Sequence, residues 1–166
     1  ITAFAPATVA NVSCGFDIMG FAIDAIGDQV TVEFAQGAIA NTVSLSGPYG
    51  HLIPSAWEKN TASVAVAAYL KATQQSDLKF HITLEKNMPL GSGMGSSASS
   101  SAAAVFAVNQ LLGSPLTTMQ LIPFAMEGER VASGSAHADN VAPSLLGGFV
   151  LIRSYDPLDI LQVDCP

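Results

Sequence analysis

Apolar and polar positions alternate in several short stretches and recur at helical spacing in others, and this pattern predicts most of the elements. Residues 29–34, QVTVEF, alternate and carry β-branched side chains, which marks a half-buried strand. Residues 41–46, NTVSLS, alternate likewise and end in Gly47-Pro48, a turn pair. Residues 79–85, KFHITLE, form another such run, with Phe80, Ile82 and Leu84 on one face. Residues 1–10 alternate loosely around Pro6 and read as an edge strand or an extended entry segment. Residues 148–153, GFVLIR, read as a closing strand, and no closing element is evident after them. Three helical stretches lie between. Asn60 is a fitting N-cap for a helix through TASVAVAAYLKAT. An Ala-rich helix runs from the residues after Gly95 to near Leu112, with Gly113 closing it. Thr117 and Gln120 fit a capping box that opens a third helix toward Arg130, in which Pro123 should cause a bend or a late start. Strands and helices mix without strict alternation. That order favours an α+β domain of two layers, a mixed sheet with helices on one face.

Composition narrows the function classes. The chain has 166 residues, 49% hydrophobic and 11% charged, enough for one domain and too apolar for a disordered chain. Six cations against thirteen acids give a net charge of -7, which excludes the dense basic footprint of a duplex nucleic-acid binder. Every apolar run is broken well short of the ~20 residues of a membrane span, so no membrane partner is expected. The start, ITAFAPATVANVSCG, has neither a basic nor an apolar segment of a secretory signal, and it lacks Met, so a piece of a longer chain is expected. Cys14 and Cys165 have no CxxC spacing and read as two reduced cysteines rather than zinc ligands.

The chemistry centres on one loop. Pro89, Leu90, Gly91, Ser92, Gly93, Met94, Gly95, Ser96 and Ser97 follow a strand and open a helix. Glycines at alternate positions permit φ > 0 and close approach of the backbone to a ligand. The helix N-terminus adds unpaired N–H groups and a partial positive charge, which suits a phosphate. Such a cradle is built from backbone, so it needs few cations. No Lys follows the glycines, which excludes a P-loop, and the glycine spacing is wrong for a dinucleotide fingerprint. Ala98 and Ser99 continue the segment into small residues that let the helix pack closely.

PLGSGMGSSAS resembles the second motif of the GHMP kinases: Pro, three residues, then Gly-Leu-Gly-Ser-Ser-Ala, with Met94 at the Leu position. APATVANVSCGFDIMGFAID resembles the family's first motif in its homoserine kinase form, and EGERVASGSAHADNVAPSLLGGFVL resembles the stretch after the third helix in that branch. The resemblance covers essentially the whole chain. It implies a fold like the second domain of ribosomal protein S5, with residues 1–166 as the N-terminal ATP-binding domain and the C-terminal domain absent. It implies ATP and Mg²⁺ as cofactors, L-homoserine as small-molecule substrate, and transfer of the γ-phosphoryl group to the homoserine hydroxyl on the way to threonine. The location implied is the cytoplasm, or the plastid for a plant protein. A homodimer stays open.

The resemblance also distributes roles. The loop from Pro89 to Ser99 holds the nucleotide, with Asn60 and Lys86 near the adenine; by themselves these two read equally as an N-cap and a solvated lysine. Glu129 and Ser97 hold the magnesium, while Glu127 reads as a surface residue. Asn11, Asp17, Asp139 and Asn140 line the substrate pocket, with Asp17 on the homoserine ammonium group. His137 is either a hydrogen-bond partner behind that pocket or a structural residue. An aspartate is proposed as catalytic base in mevalonate kinase at the place of Asn140, and an amide cannot take that proton. Asn140, Glu129 and Ser97 therefore point to catalysis by positioning and charge neutralisation. His51 and Trp57 carry no role beyond covering the sheet. Two other readings stay open: a kinase for another small alcohol, and an isolated nucleotide-binding domain without turnover.

Overall fold

The computed structural model describes residues 1–164. Strands β1 (Thr2–Val12) and β2 (Gly15–Phe34) form a long hairpin. They are followed by β3 (Thr42–Ser46), a 3-10 turn at Gly50–Leu52, α1 (Thr61–Ala72), β4 (Phe80–Glu85), α2 (Ser96–Leu111), α3 (Thr118–Ser133), α4 (Ala138–Leu146), β5 (Phe149–Tyr155) and β6 (Leu158–Val163). The sheet runs β3-β4-β2-β5-β6, with β1 on β2. Among the described residues only β3 and β4 pair in parallel, joined through α1, and the other pairings are antiparallel. The expected α+β architecture with a mixed sheet is therefore present.

β2 organises the sheet. Its residues 29–34 pair with β4 and residues 19–21 with β5, while β1 pairs with it in both regions. A strand has two edges, so β4 and β5 follow one another along the edge opposite β1. The ladder to β1 shifts between Pro6 and Ala7, which fits the exclusion of proline from regular pairing. α2 and α4 lie against β1 and β2, and α1 and α3 pack on α2. α2 is buried along Ala98, Ser99, Ser100, Ser101, Ala102, Ala103 and Ala104, small side chains that let neighbours approach on several sides. Val30, Val32, Phe80, Ile82, Leu84, Tyr69, Leu121 and Ile122 fill the core beneath it. Each such large side chain contributes about 1.5–3 kcal/mol by leaving water.

Local signals explain most boundaries. The Asn60 side chain accepts from the amides of Ala62 and Ser63 and caps α1. Thr117 and Gln120 make the expected capping box, and α3 starts at Thr118, ahead of Pro123, so the proline does not delay it. Three expectations need correction. The strand read at 29–34 is the end of β2, which begins at Gly15. No element was expected between Arg130 and Gly148, yet Ala138–Leu146 forms a helix, α4. A closing strand β6 pairs with β5 where none was expected. Cys14 is free and exposed at the hairpin tip, and Cys165 lies outside the described residues. Among the described residues, no helix is long and apolar enough to cross a membrane.

Candidate functional site

The Gly-rich loop borders a cavity of about 560 Å³. Leu90, Gly91, Ser92, Gly93, Gly95, Ser96 and Ser97 form one wall, and Asn11, Asn60, Lys86, Glu129 and Asn140 line the rest together with Ile53, Pro54, Val131 and Ala132. The cavity is thus polar toward the loop and apolar toward the 53–54 and 131–132 segments. Gly91, Gly93 and Gly95 all take positive φ, between 63° and 73°, as the alternate-glycine pattern anticipates. Gly95 is the N-cap of α2 and supplies no side-chain cap. The amides of Ser96, Ser97 and Ala98 find no acceptor among the described residues. Ser96 and Ser97 line this wall, so two free donors and the positive end of a 16-residue helix open on it. That is the donor set an anionic phosphate requires.

Gly95 is constrained further by its neighbours. A Cβ there would meet Thr8 Oγ1 at 2.1 Å and Asn140 Oδ1 at 2.8 Å. Those two atoms are hydrogen bonded, Thr8 donating to Asn140 at 2.8 Å. The Thr8 amide also donates to Met94 O, so β1 holds the loop from behind. With its oxygen engaged, the Asn140 amide nitrogen is the end left for the cavity. Pro89, Met94, Ala98 and Ser99 stand behind the lining. Ser99 donates to Ala5 O and accepts from the Asp28 amide, tying α2 to both strands of the hairpin.

Glu129, on α3, faces the loop across the cavity. Its Oε2 is buried without a hydrogen-bond partner. Burial pushes the Glu129 carboxyl above its ordinary range, the Ser97 hydroxyl beside it pulls the other way, and Asp139 pushes it further up. A buried, unpartnered carboxylate oxygen is costly unless something charged comes to it. Among the described residues no group of three His, Cys, Asp or Glu side chains is placed to hold a metal. Magnesium, however, binds through one or two protein oxygens together with phosphate oxygens and water. Glu129 and Ser97 fit that donor set.

A second cluster adjoins the cavity at the hairpin tip. Asn11 links the two, accepting from the Asp17 amide at 2.8 Å. Asn11, Ser13 and Asp17 hold φ between 55° and 59°, an unusual concentration of left-handed backbone for non-glycine residues. The Asp17 carboxylate lies 3.2 Å from His137 Nδ1. Tyr155 donates to Asp17 O and accepts from the Ala138 amide, clamping the tip to the start of α4. Asp139 is buried, and burial raises its carboxyl pKa, opposed by His137. α4 reaches this position because β2 carries Gly20, where a Cβ would meet Asp139 O at 1.9 Å.

The structure therefore brings the loop, Asn11, Asn60, Lys86, Glu129 and Asn140 to one cavity and sets Asp17, His137 and Asp139 beside it. Lys86 is not solvated: it is 2% exposed and paired with Asp28. Trp57 packs on the core before α1, and His51 is exposed in the 3-10 turn. Thr8, Asp28 and Tyr155 received no role from sequence. Thr8 sits inside the first motif and breaks the small-apolar alternation of β1, which is a signal for it; Asp28 and Tyr155 have none, since their partners are remote in the chain.

Comparison with known proteins agrees with this geometry. Residues 60–148 match the family described as GHMP kinases N terminal domain. The chain is 52% identical to a homoserine kinase of Chloroherpeton thalassium, a match over all of this chain and 54% of that protein. It superposes on the crystal structure of homoserine kinase from Cytophaga hutchinsonii with a TM-score of 0.92 and 51% identity, covering 100% of this chain and 52% of the other. The mevalonate kinase of Methanococcus jannaschii shares the fold, with a TM-score of 0.71 at 16% identity over 99% of this chain and 56% of its own. The chain spans about half the length of the curated relatives it matches.

Proposed function

The chain belongs to the GHMP kinase family, and we propose that the protein to which it belongs transfers the γ-phosphoryl group of ATP to the hydroxyl of L-homoserine, giving ADP and O-phospho-L-homoserine. Residues 1–166 are then its N-terminal, nucleotide-binding part, acting in the cytoplasm. The observation that carries the reading is the pair of free amides at Ser96 and Ser97 on a cavity that also holds the unpartnered Glu129 oxygen. The full-chain identity to homoserine kinases supports the substrate.

The residues divide the work. The loop amides hold the phosphates, and the apolar end at Ile53, Pro54 and Val131 receives the base, with Asn60 beside it. Magnesium, held by Glu129 and Ser97, would neutralise charge on the phosphate oxygens. The hairpin-tip cluster takes the amino acid, the Asp17 carboxylate matching an ammonium group. Asn140 orients the reacting hydroxyl through its free amide end and accepts no proton, because an amide nitrogen has no available lone pair. Catalysis rests on alignment and charge stabilisation.

A coupled ADP-release assay on the full-length protein tests this. Turnover dependent on L-homoserine is expected. Turnover with mevalonate or galactose and none with homoserine would overturn the substrate assignment.

A further inference from the structure

Beneath the Gly-rich loop lies a buried ion pair that the reaction itself does not use. Lys86 follows β4 and Asp28 sits in β2; they are 2% and 0% exposed. The three protons of the Lys86 ammonium are all spent within the protein: on Asp28 Oδ2 at 2.5 Å, on Ser96 O at 2.6 Å and on Ser100 Oγ at 2.8 Å. A lysine has no fourth donor. Asp28 is as fully used. Its Oδ2 also accepts from Ser100 Oγ at 2.6 Å, and its Oδ1 accepts from the amides of Asn87 and Met88 at 2.9 and 3.2 Å.

These bonds fall at the two ends of the loop. Asn87 and Met88 are its entry, and Ser96 begins the helix at its exit. One pair of opposite charges thus fixes both anchor points of a loop whose glycines would otherwise leave it free. The polarity is also suitable. The pair is neutral as a unit, so the phosphate cradle above it keeps only the charge of its amides and the helix end.

We propose that Asp28 and Lys86 are positioning residues for the Gly-rich loop, holding its amides in the phosphate-binding arrangement, and that Lys86 makes no contact with the nucleotide although it borders the cavity. The phosphate-binding part of this statement rests on the kinase reading; the anchoring part does not.

The test uses the full-length protein and four variants: Asp28→Asn, Lys86→Met, the two combined, and Ser100→Ala, which removes one strut without unpairing a charge. Two quantities are measured, amide hydrogen exchange across residues 87–97 without nucleotide and Mg-ATP affinity by calorimetry. Faster exchange in the loop is expected in every variant. Asp28→Asn, which lies outside the cavity lining, should weaken Mg-ATP about as much as Lys86→Met, on the order of tenfold, and the combined variant no more than either. Wild-type affinity in Asp28→Asn beside a loss in Lys86→Met would make Lys86 a direct ligand and overturn the proposal. So would unchanged loop exchange. If the charge variants do not fold, Ser100→Ala decides by its loop exchange alone. A wild-type protein that binds no ATP defeats the kinase reading, while the exchange data still judge the anchoring.

Discussion

Gly95 shows how much a single position can carry. It needs a left-handed φ of 63°, it caps α2, and it leaves no room for a Cβ between Thr8 and Asn140. Gly95→Val should therefore abolish Mg-ATP binding, since a β-branched side chain both resists that φ and breaks the Thr8–Asn140 bond. Glu129 has the opposite character. Its raised carboxyl pKa means that the folded protein favours the neutral form more than water does. The stability this contributes is fully present below the ordinary value of 4.5 and is lost as pH rises through the raised folded value. At neutral pH the nucleotide-free protein bears the cost of a buried charge. Glu129→Gln should then raise Tm at pH 7 while lowering kcat of the full-length enzyme by on the order of 10²-fold. A lower Tm with unchanged kcat would remove Glu129 from the site. Mg-ATP affinity in the wild type should fall as pH drops through the same range, because a protonated carboxyl is no cation ligand. The loop, Asn11, Asp17 and Glu129 were legible in sequence because they belong to short motifs. Tyr155 was not, because its link to Asp17 joins positions 138 residues apart.

At the scale of elements, strands with strict alternation and helices with caps were legible, and interrupted ones were not. β4 and α1 read cleanly because Phe80, Ile82 and Leu84 alternate and Asn60 caps. α4 hid behind its brevity and Pro143, and the first half of β2 behind its glycines. Yet α4 delivers Asp139 and Asn140, and its placement depends on the missing side chain at Gly20. Gly20→Ala should push α4 from β2, costing about 1–3 kcal/mol of stability. In the full-length protein it should raise the KM for homoserine more than the KM for ATP, since the loop and Ser96 lie at the start of α2. Equal effects on both would mean that α4 does not carry the substrate side. The capping box offers a milder check: Thr117→Ala should cost about 1 kcal/mol by chemical denaturation with no change in nucleotide affinity.

At the scale of the molecule, a net charge of -7 sits beside the site proposed for a polyanion. The two are compatible because the donors are backbone amides at a helix end, and the one buried lysine under the loop is neutralised by Asp28. The fold class was legible because element order alone limits the layers available. The division of the cavity into a polar wall and an apolar end was not, since it arises where β1, α2, α3 and α4 meet. The most direct measurement is calorimetric titration of Mg-ATP into the full-length protein and its Gly95→Val variant. Saturable one-to-one binding in the first and none in the second is expected. Equal ATP affinity in both would show that the Gly-rich loop does not hold the nucleotide.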